Sequence, residues 1–372
     1  MLAGGRSPRN EWSSGVLGVS RWAGIRRFLP VVAFFAGVVG DALTLGVRVR
    51  SLDFWRLGGL LGLAALLIVL LARREHQGAL PPPEGAGWRG RLARLAWDGP
   101  YLGLQFCVGG LYSALFILYS KSSGHFSAWL VTGLLAFLLV ANEFWGRAYG
   151  GRFTLIWGLF AFCAMLLMNF ALPFAAGSLD PRWFYLSTAL GLALAHGLRF
   201  ASPGRPGRIL PAWAAAGALI LAWSLGMIAP VPLVKRHVIV GQDFERRGGE
   251  FLLRVEPAPA WQFWRDWASV VNVPDQGRLY GVSAVFAPRG VSAALEHRWE
   301  RRDQSGQWRP AGVARFEVTG GREQGFRAYS YMVAPQAGEW RLIVATQDGR
   351  TISTTELRVS RGSPAVTELR RL

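Results

Sequence analysis

Seven long apolar runs, all before about residue 234, limit what this chain can fold into: residues 28–46, 57–72, 101–120, 126–144, 153–176, 183–199 and 212–234. A bilayer's hydrocarbon is about 30 Å thick, and roughly 20 apolar residues in a helix cross it. Helices serve because they satisfy their own backbone hydrogen bonds where no water can. Hydrophobic types make up 51% of the chain and charged types 17%, with the apolar residues concentrated in those runs. The expectation is an α-helical polytopic membrane domain of about seven spans over residues 28–234, preceded by a cytoplasmic tail, 1–27. The runs at 57–72 and 183–199 are the shortest, so whether they fully cross is open.

The net charge of +18 would suit a nucleic-acid binder, but its distribution points elsewhere. Twenty of the 41 basic residues precede residue 235, nearly all in short connections between apolar runs. Such loops keep their Lys and Arg on the cytoplasmic side. With the N-terminus inside, fifteen of the twenty lie inside, among them Arg26, Arg73, Arg74, Arg147, Arg199 and Arg205. Five lie outside: Arg48, Arg50, Arg56, Lys121 and Arg182. Seven spans then put the C-terminus outside the cytoplasm, which in a bacterium is the periplasmic face of the inner membrane. The first run lacks a small-x-small cleavage site and is followed by further spans, so it reads as an anchor. Both cysteines, Cys107 and Cys163, fall within spans and imply no disulfide framework.

After residue 235 the texture changes. "ARFEV" puts Ala314, Phe316 and Val318 on one face, and "EWRLIV" does the same for Trp340, Leu342 and Val344. Alternation with period two marks half-buried strands. "TQDGRT" predicts a hairpin at Asp348–Gly349 with a type I′ turn, where both central residues need positive φ. "DQSGQ" and "TGGREQG" supply further turns. Residues 235–372 are expected to form an extracytoplasmic antiparallel β-sandwich, Ig-like. "IAPVPLVKR", 228–236, is the expected hinge, its two prolines stopping the last helix.

These residues resemble a known module. "LEHRWERRDQSGQW", "GGREQGFRAYSYM" and "GEWRLIVATQDGR" look like domain of unknown function 2914. Upstream, "FFAGVVGDALTLG", "QFCVGGLYSALFILYSKS", "NEF" and "APVPL" resemble the bacterial multi-spanning segment that often precedes it, associated with domain of unknown function 5924. The resemblance covers roughly residues 28 to 360 with gaps. It implies architecture and bacterial origin and carries no activity.

An ionisable residue inside a membrane is a functional candidate, since facing it to lipid costs at least about 2.5 kcal/mol. At about 1.5 Å of rise per residue, the polar groups of the spans fall in two layers. Asp41, Lys121, His125 and Asn169 lie near the outer face, a candidate intramembrane polar site. Gln105, Asn142, Glu143 and His196 form an inner layer. The midpoints Gly37, Ala64, Leu111, Leu135, Met165, Gly191 and Leu221 are uncharged, which disfavours an ion or proton relay. Asp41 reads first as a helix fastener, expected near Lys121, Tyr119 or Asn169. Glu143 has Arg147 one turn away, and His196 has no companion at metal-ligand spacing. "CVGGLYSA" and "GLALAHG" carry small residues about four apart and read as helix contacts.

The outer module has no HExxH, GxSxG or P-loop, and its histidines, His237 and His297, are isolated. Alternation places His297 with Leu295 and Trp299, as a core residue. In "PAWQFWRDW", Trp261, Phe263, Trp264 and Trp267 crowd one segment as candidate interface or ligand aromatics. No metal and no cofactor is expected, and the partners are the lipid bilayer and an envelope protein or glycan, with no nucleic acid. Two functions compete: a binding or scaffold protein, or a membrane enzyme or transporter acting on a lipid-linked substrate through an outward-facing polar site.

Overall fold

The computed structural model describes residues 51–82, 88–122, 131–138, 153–228, 230–262, 267–322, 324–363 and 366–371. Its helices are α1 (Ser51–His76), α2 (Trp88–Ser122), α3 (Phe153–Ala176), α4 (Arg182–Ala201) and α5 (Leu210–Ser224), with a further helical segment over 131–138. Among the described residues, three stretches are long and apolar enough to cross a membrane: Asp53–His76, Ala96–Ser122 and Phe153–Ala176.

Several boundaries differ from the sequence expectation. The apolar run at 57–72 sits inside a 26-residue helix, long enough to cross. α4 has 20 residues but does not reach the same apolarity, and α5 has only 15. The expected helix through residue 234 stops at Ser224, and glycine stops it rather than the prolines. Gly226 takes φ 68°, the Met227 N–H donates to the Ala222 carbonyl at 2.8 Å, and the Gly226 N–H donates to Trp223 at 3.0 Å. This pair of bonds satisfies the last carbonyls around a left-handed residue, a conformation glycine adopts without a Cβ penalty. The first apolar run lies outside the described residues, as does all of the fourth except 131–138.

α3 is the central helix, buried around most of its circumference by α1, α2, α4 and α5. Close approach depends on small residues: a Cβ on Gly191 of α4 would stand 2.6 Å from the Met165 amide nitrogen, and one on Gly158 would stand 2.7 Å from Pro211 Cβ. One end of the bundle gathers the start of α1 with the end of α3, where Phe54 and Phe174 meet at 4.8 Å. It also holds the end of α2, where Tyr119 meets Phe170 edge-on at 4.9 Å. At the opposite end Arg74 Nη1 donates to the Trp97 carbonyl, Trp157 Nε1 to Pro206, and the Arg208 N–H to Thr154 Oγ1, each at 2.8 Å.

The rest of the chain is β: β1 (Val234–Arg247), β2 (Glu250–Val255), β3 (Val270–Val273), β4 (Arg278–Phe286), β5 (Ser292–Arg302), β6 (Trp308–Thr319), β7 (Phe326–Val333), β8 (Gly338–Thr346), β9 (Thr351–Arg361) and β10 (Glu368–Arg371). Two five-stranded sheets form, in the orders β10-β2-β1-β4-β7 and β3-β9-β8-β5-β6. The second is mixed rather than purely antiparallel, because β3 runs parallel to β9. The chain reaches β3 by a long connection from the first sheet, and a parallel neighbour requires such a crossover. Side chains from both sheets share one core containing Leu253, Leu279, Leu295, Trp299, Trp340 and Leu342. The alternation in β6 is as expected: Ala314, Phe316 and Val318 turn inward between exposed Val313, Arg315 and Glu317.

Candidate functional site

The sandwich sits on the end of the bundle opposite Arg74, Arg199 and Arg208, and the contacts that hold it there include one at the end of α3 and one at the end of α5. Where α3 ends, Gly177 has φ 64° and its carbonyl accepts the Ser292 N–H, at the start of β5, at 3.1 Å. A Cβ on Gly177 would come 2.5 Å from the Gly290 carbonyl oxygen, so both the conformation and the approach require glycine. The second contact is the β8–β9 hairpin. Arg350 places Cζ 3.0 Å from the centroid of the Trp223 ring, and Trp223 stacks on Phe184 with centroids 4.0 Å apart. Asp348 Oδ2 accepts from Arg350 Nε at 3.1 Å. Burial pulls the Arg350 pKa below its ordinary value while Asp348 opposes it, and a guanidinium stays charged throughout.

This is the hairpin expected from "TQDGRT", with a different turn. Gly349 has φ 90°, and Asp348 is not among the residues at positive φ. The Thr346 N–H donates to the Arg350 carbonyl and the Gly349 N–H to the Thr346 carbonyl, both at 2.9 Å. That is a three-residue loop, in which one glycine in the left-handed region suffices.

Of the outer polar layer, Asn169 is buried and its Nδ2 donates to the Tyr119 hydroxyl at 3.0 Å. It also lines a cleft under the hairpin with Asp180, Trp183, Trp223, Asp348 and Arg350. Lys121 ends α2, within electrostatic reach of Asp53 and Arg236. Of the inner layer, His196 Nε2 accepts from Trp213 Nε1 at 3.0 Å, joining α4 to α5, and Gln105 is half-buried on α2. Asp41, His125, Asn142 and Glu143 lie outside the described residues, as do Phe263 and Trp264. The other two aromatics of that segment part company: Trp267 is 5% exposed in the sandwich core, whereas Trp261 is 66% exposed.

His297 is a core residue that ties the two sheets together. Its Nε2 lies 2.7 Å from Ser283 Oγ on β4 and its Nδ1 lies 2.8 Å from Ser330 Oγ on β7. Trp299 Nε1 donates to the same Ser330 hydroxyl at 2.9 Å. A neutral imidazole suits two hydroxyls that can each donate or accept. Burial pushes its pKa down to about 4.

Sequence reasoning missed a surface on the first sheet. Phe244 stacks on Tyr329 at 4.3 Å, Tyr280 meets Phe244 and Tyr331 at 5.7 Å each, and Phe251 completes the strip. Tyr329 and Tyr331 are 46% and 49% exposed, and the Arg278 guanidinium lies 5.2 Å from the Tyr331 ring. The signal was present in "RAYSYM", where Ala328 and Ser330 turn inward and the two tyrosines must turn out. The outer face of the second sheet is instead a ladder of ion pairs, including Glu296 with Arg298 and Arg315, and Glu300 with Arg341.

Residues 292–359, from the start of β5 into β9, match the family described as protein of unknown function DUF2914. The match includes His297, Trp299, Ser330 and Arg350 and does not extend to the helices. No protein of curated function matches the chain. Among solved structures, an immunoglobulin-like protein from Pseudomonas aeruginosa is 14% identical, with 33% of this chain and 97% of that one covered and a TM-score of 0.18. A Pseudomonas fluorescens alkylpurine DNA glycosylase bound to DNA with an abasic site analogue is 10% identical, covering 72% and 73%, with a TM-score of 0.22. A Bifidobacterium adolescentis GH3 beta-glucosidase is 7% identical over 33% and 17%, with a TM-score of 0.18. Likeness at this level bears on neither activity nor ligand.

Proposed function

We propose that this is a bacterial inner-membrane protein that presents its β-sandwich on the periplasmic face, where the sandwich binds or scaffolds an envelope component or partner protein. The observation that carries the reading is the seating of the sandwich on the bundle end opposite the arginines of the 73–74 and 199–208 connections. Basic connections stay cytoplasmic, so the sandwich belongs outside. The docking contacts favour a rigidly held display module: Arg350 and Asp348 pair with each other and close on Trp223. Arg350 and Asp348 are thus engaged in docking and Asp180 in a pair with Arg182, which favours a scaffold over an outward catalytic site. Tyrosine and arginine are the residues enriched at the energetic centres of protein interfaces, so the Tyr329–Tyr331–Arg278 surface is the face assigned to the partner.

Alkaline phosphatase fused after residue 240 should be active in the periplasm, and a fusion near residue 85 inactive; the reverse pattern rejects the topology. A photo-crosslinking residue placed at Tyr331 should give discrete adducts in cells, and one at Arg309 on the second sheet should not. Equal labelling from both positions removes the assigned face.

A further inference from the structure

Cations gather where the sandwich meets the bundle. The β4–β5 connection (287–291) and the β6–β7 connection (320–325) are bonded together, Gly321 N–H to the Ala287 carbonyl at 3.1 Å and Gly320 N–H to Val291 at 2.9 Å. The first of them is fixed to α3 through Ser292 and Gly177. Each exposes one arginine, Arg289 and Arg322. A Cβ on Gly321 would stand 3.6 Å from Arg289 Cβ, so one loop lies against the arginine of the other. Arg322 lies 5.5 Å over Phe326 and Arg236 lies 5.3 Å over Phe286, on adjoining strands of the same sheet. Lys121 approaches from the bundle, within electrostatic reach of Arg236 and of the Asp53 carboxylate.

Ion pairing, rather than net charge, separates Arg289 and Arg322 from the arginines of the second sheet. There Glu296, Glu300, Glu339 and Asp303 are matched to Arg298, Arg315, Arg341, Arg302, Arg358 and Arg309. Among the described residues, no carboxylate stands within ion-pair distance of Arg289 or Arg322. Glu323, the one acid in the two connections, is outside the described residues. The collar adjoins the end of α3 through Ser292 and Gly177 and the end of α2 at Lys121, so in a bilayer it faces the headgroup layer from which the sandwich emerges. The anion always present there is the lipid phosphate. Arginine engages phosphate through two parallel N–H donors, and basic residues near an anionic bilayer surface act together.

We propose that Arg289 and Arg322, with Arg236 and Lys121 adding charge, bind the phosphates of anionic phospholipid headgroups and so set the height of the sandwich above the bilayer. This rests on the membrane reading above.

The test uses the full-length protein in nanodiscs of phosphatidylcholine with one part in three phosphatidylglycerol. Native mass spectrometry reads which lipids stay bound on release. Wild type and the far-end control Arg309→Ser should retain phosphatidylglycerol well beyond its share. The double variant Arg289→Ser/Arg322→Ser should lose that excess, and Arg289→Lys/Arg322→Lys should keep at least half of it. Full retention by the serine pair overturns the proposal, and so does equal loss in Arg309→Ser. If the serine pair fails to fold, the single variants Arg289→Gln and Arg322→Gln decide, each expected to lose about half the excess, with full retention in both again overturning it. A wild-type protein released from membranes by alkaline carbonate without detergent defeats the membrane reading instead, so the two failures are distinct.

Discussion

The guanidinium of Arg350 lies 3.0 Å from the ring centroid of Trp223, and that single stack joins the tip of a β-hairpin to the last helix of the bundle. A cation over an indole in a desolvated setting contributes about 2 kcal/mol. Arg350→Ala should therefore raise amide hydrogen exchange in residues 346–351 by about tenfold or more, since 1.4 kcal/mol is roughly one decade. The core strands β5 and β8 should keep their protection. Unchanged exchange at the hairpin would show that the stack does not hold the junction.

His297 makes the sandwich sensitive to acid in a definite window. The free imidazole titrates at 6.5, whereas in the folded protein burial holds it down to about 4. Between these values the unfolded chain takes up a proton that the folded chain refuses. Stability is full above pH 6.5 and falls toward pH 4 by up to about 1.4 kcal/mol per unit, a total of about 3 kcal/mol. Denaturant unfolding of the wild type and His297→Gln across this range checks it. The variant starts less stable, having lost bonds to Ser283 or Ser330, and should lack that pH slope.

Trp340 is buried and its Nε1 donates to the Gln336 carbonyl at 2.8 Å. Trp340→Ala should destabilise the sandwich by roughly 3 to 5 kcal/mol, the usual range for a buried large aromatic. A melting temperature equal to wild type would remove Trp340 from the core.

Two glycines of "GLALAHG" predict opposite outcomes. Gly191→Ala drives a methyl group into the Met165 backbone at 2.6 Å and should lower thermal stability in detergent by about 1 to 3 kcal/mol. At Gly197 a Cβ meets nothing within 4 Å, and Gly197→Ala should be neutral or stabilising by up to about 1 kcal/mol through helix propensity. Differential scanning fluorimetry of the two variants side by side decides whether α3 and α4 touch as described.

What the sequence disclosed followed from local rules. Apolar runs located the described helices, alternation in "ARFEV" located inward and outward positions of β6, and the Asp348–Gly349 pair located a turn. It did not disclose where α5 ends, because Gly226 lies within a run that stays apolar beyond it, and hydropathy does not register a left-handed cap. Nor did it disclose the partner of Arg350. Trp223 is 127 residues earlier by numbering, and no periodicity relates a hairpin tip to a helix end. Trp261 and Trp267 part for a related reason: nearness in sequence says little about direction in a loop, and Trp267 turned into the core while Trp261 stayed exposed.

The early stop of α5 bears on the lipid around it. Fifteen residues at 1.5 Å each rise only about 22 Å, several ångströms short of a hydrocarbon layer of about 30 Å. In a bilayer, the charged tip of the Arg350 hairpin then stands where a longer span would still be greasy. Hydrophobic mismatch of this kind costs fractions of a kcal/mol per Å, relieved when the surrounding membrane thins. If the bundle crosses a bilayer as proposed, the flank carrying Trp223 and Arg350 suits a thinner membrane than the flank carrying α1, and membrane thickness would act on how firmly the sandwich is seated.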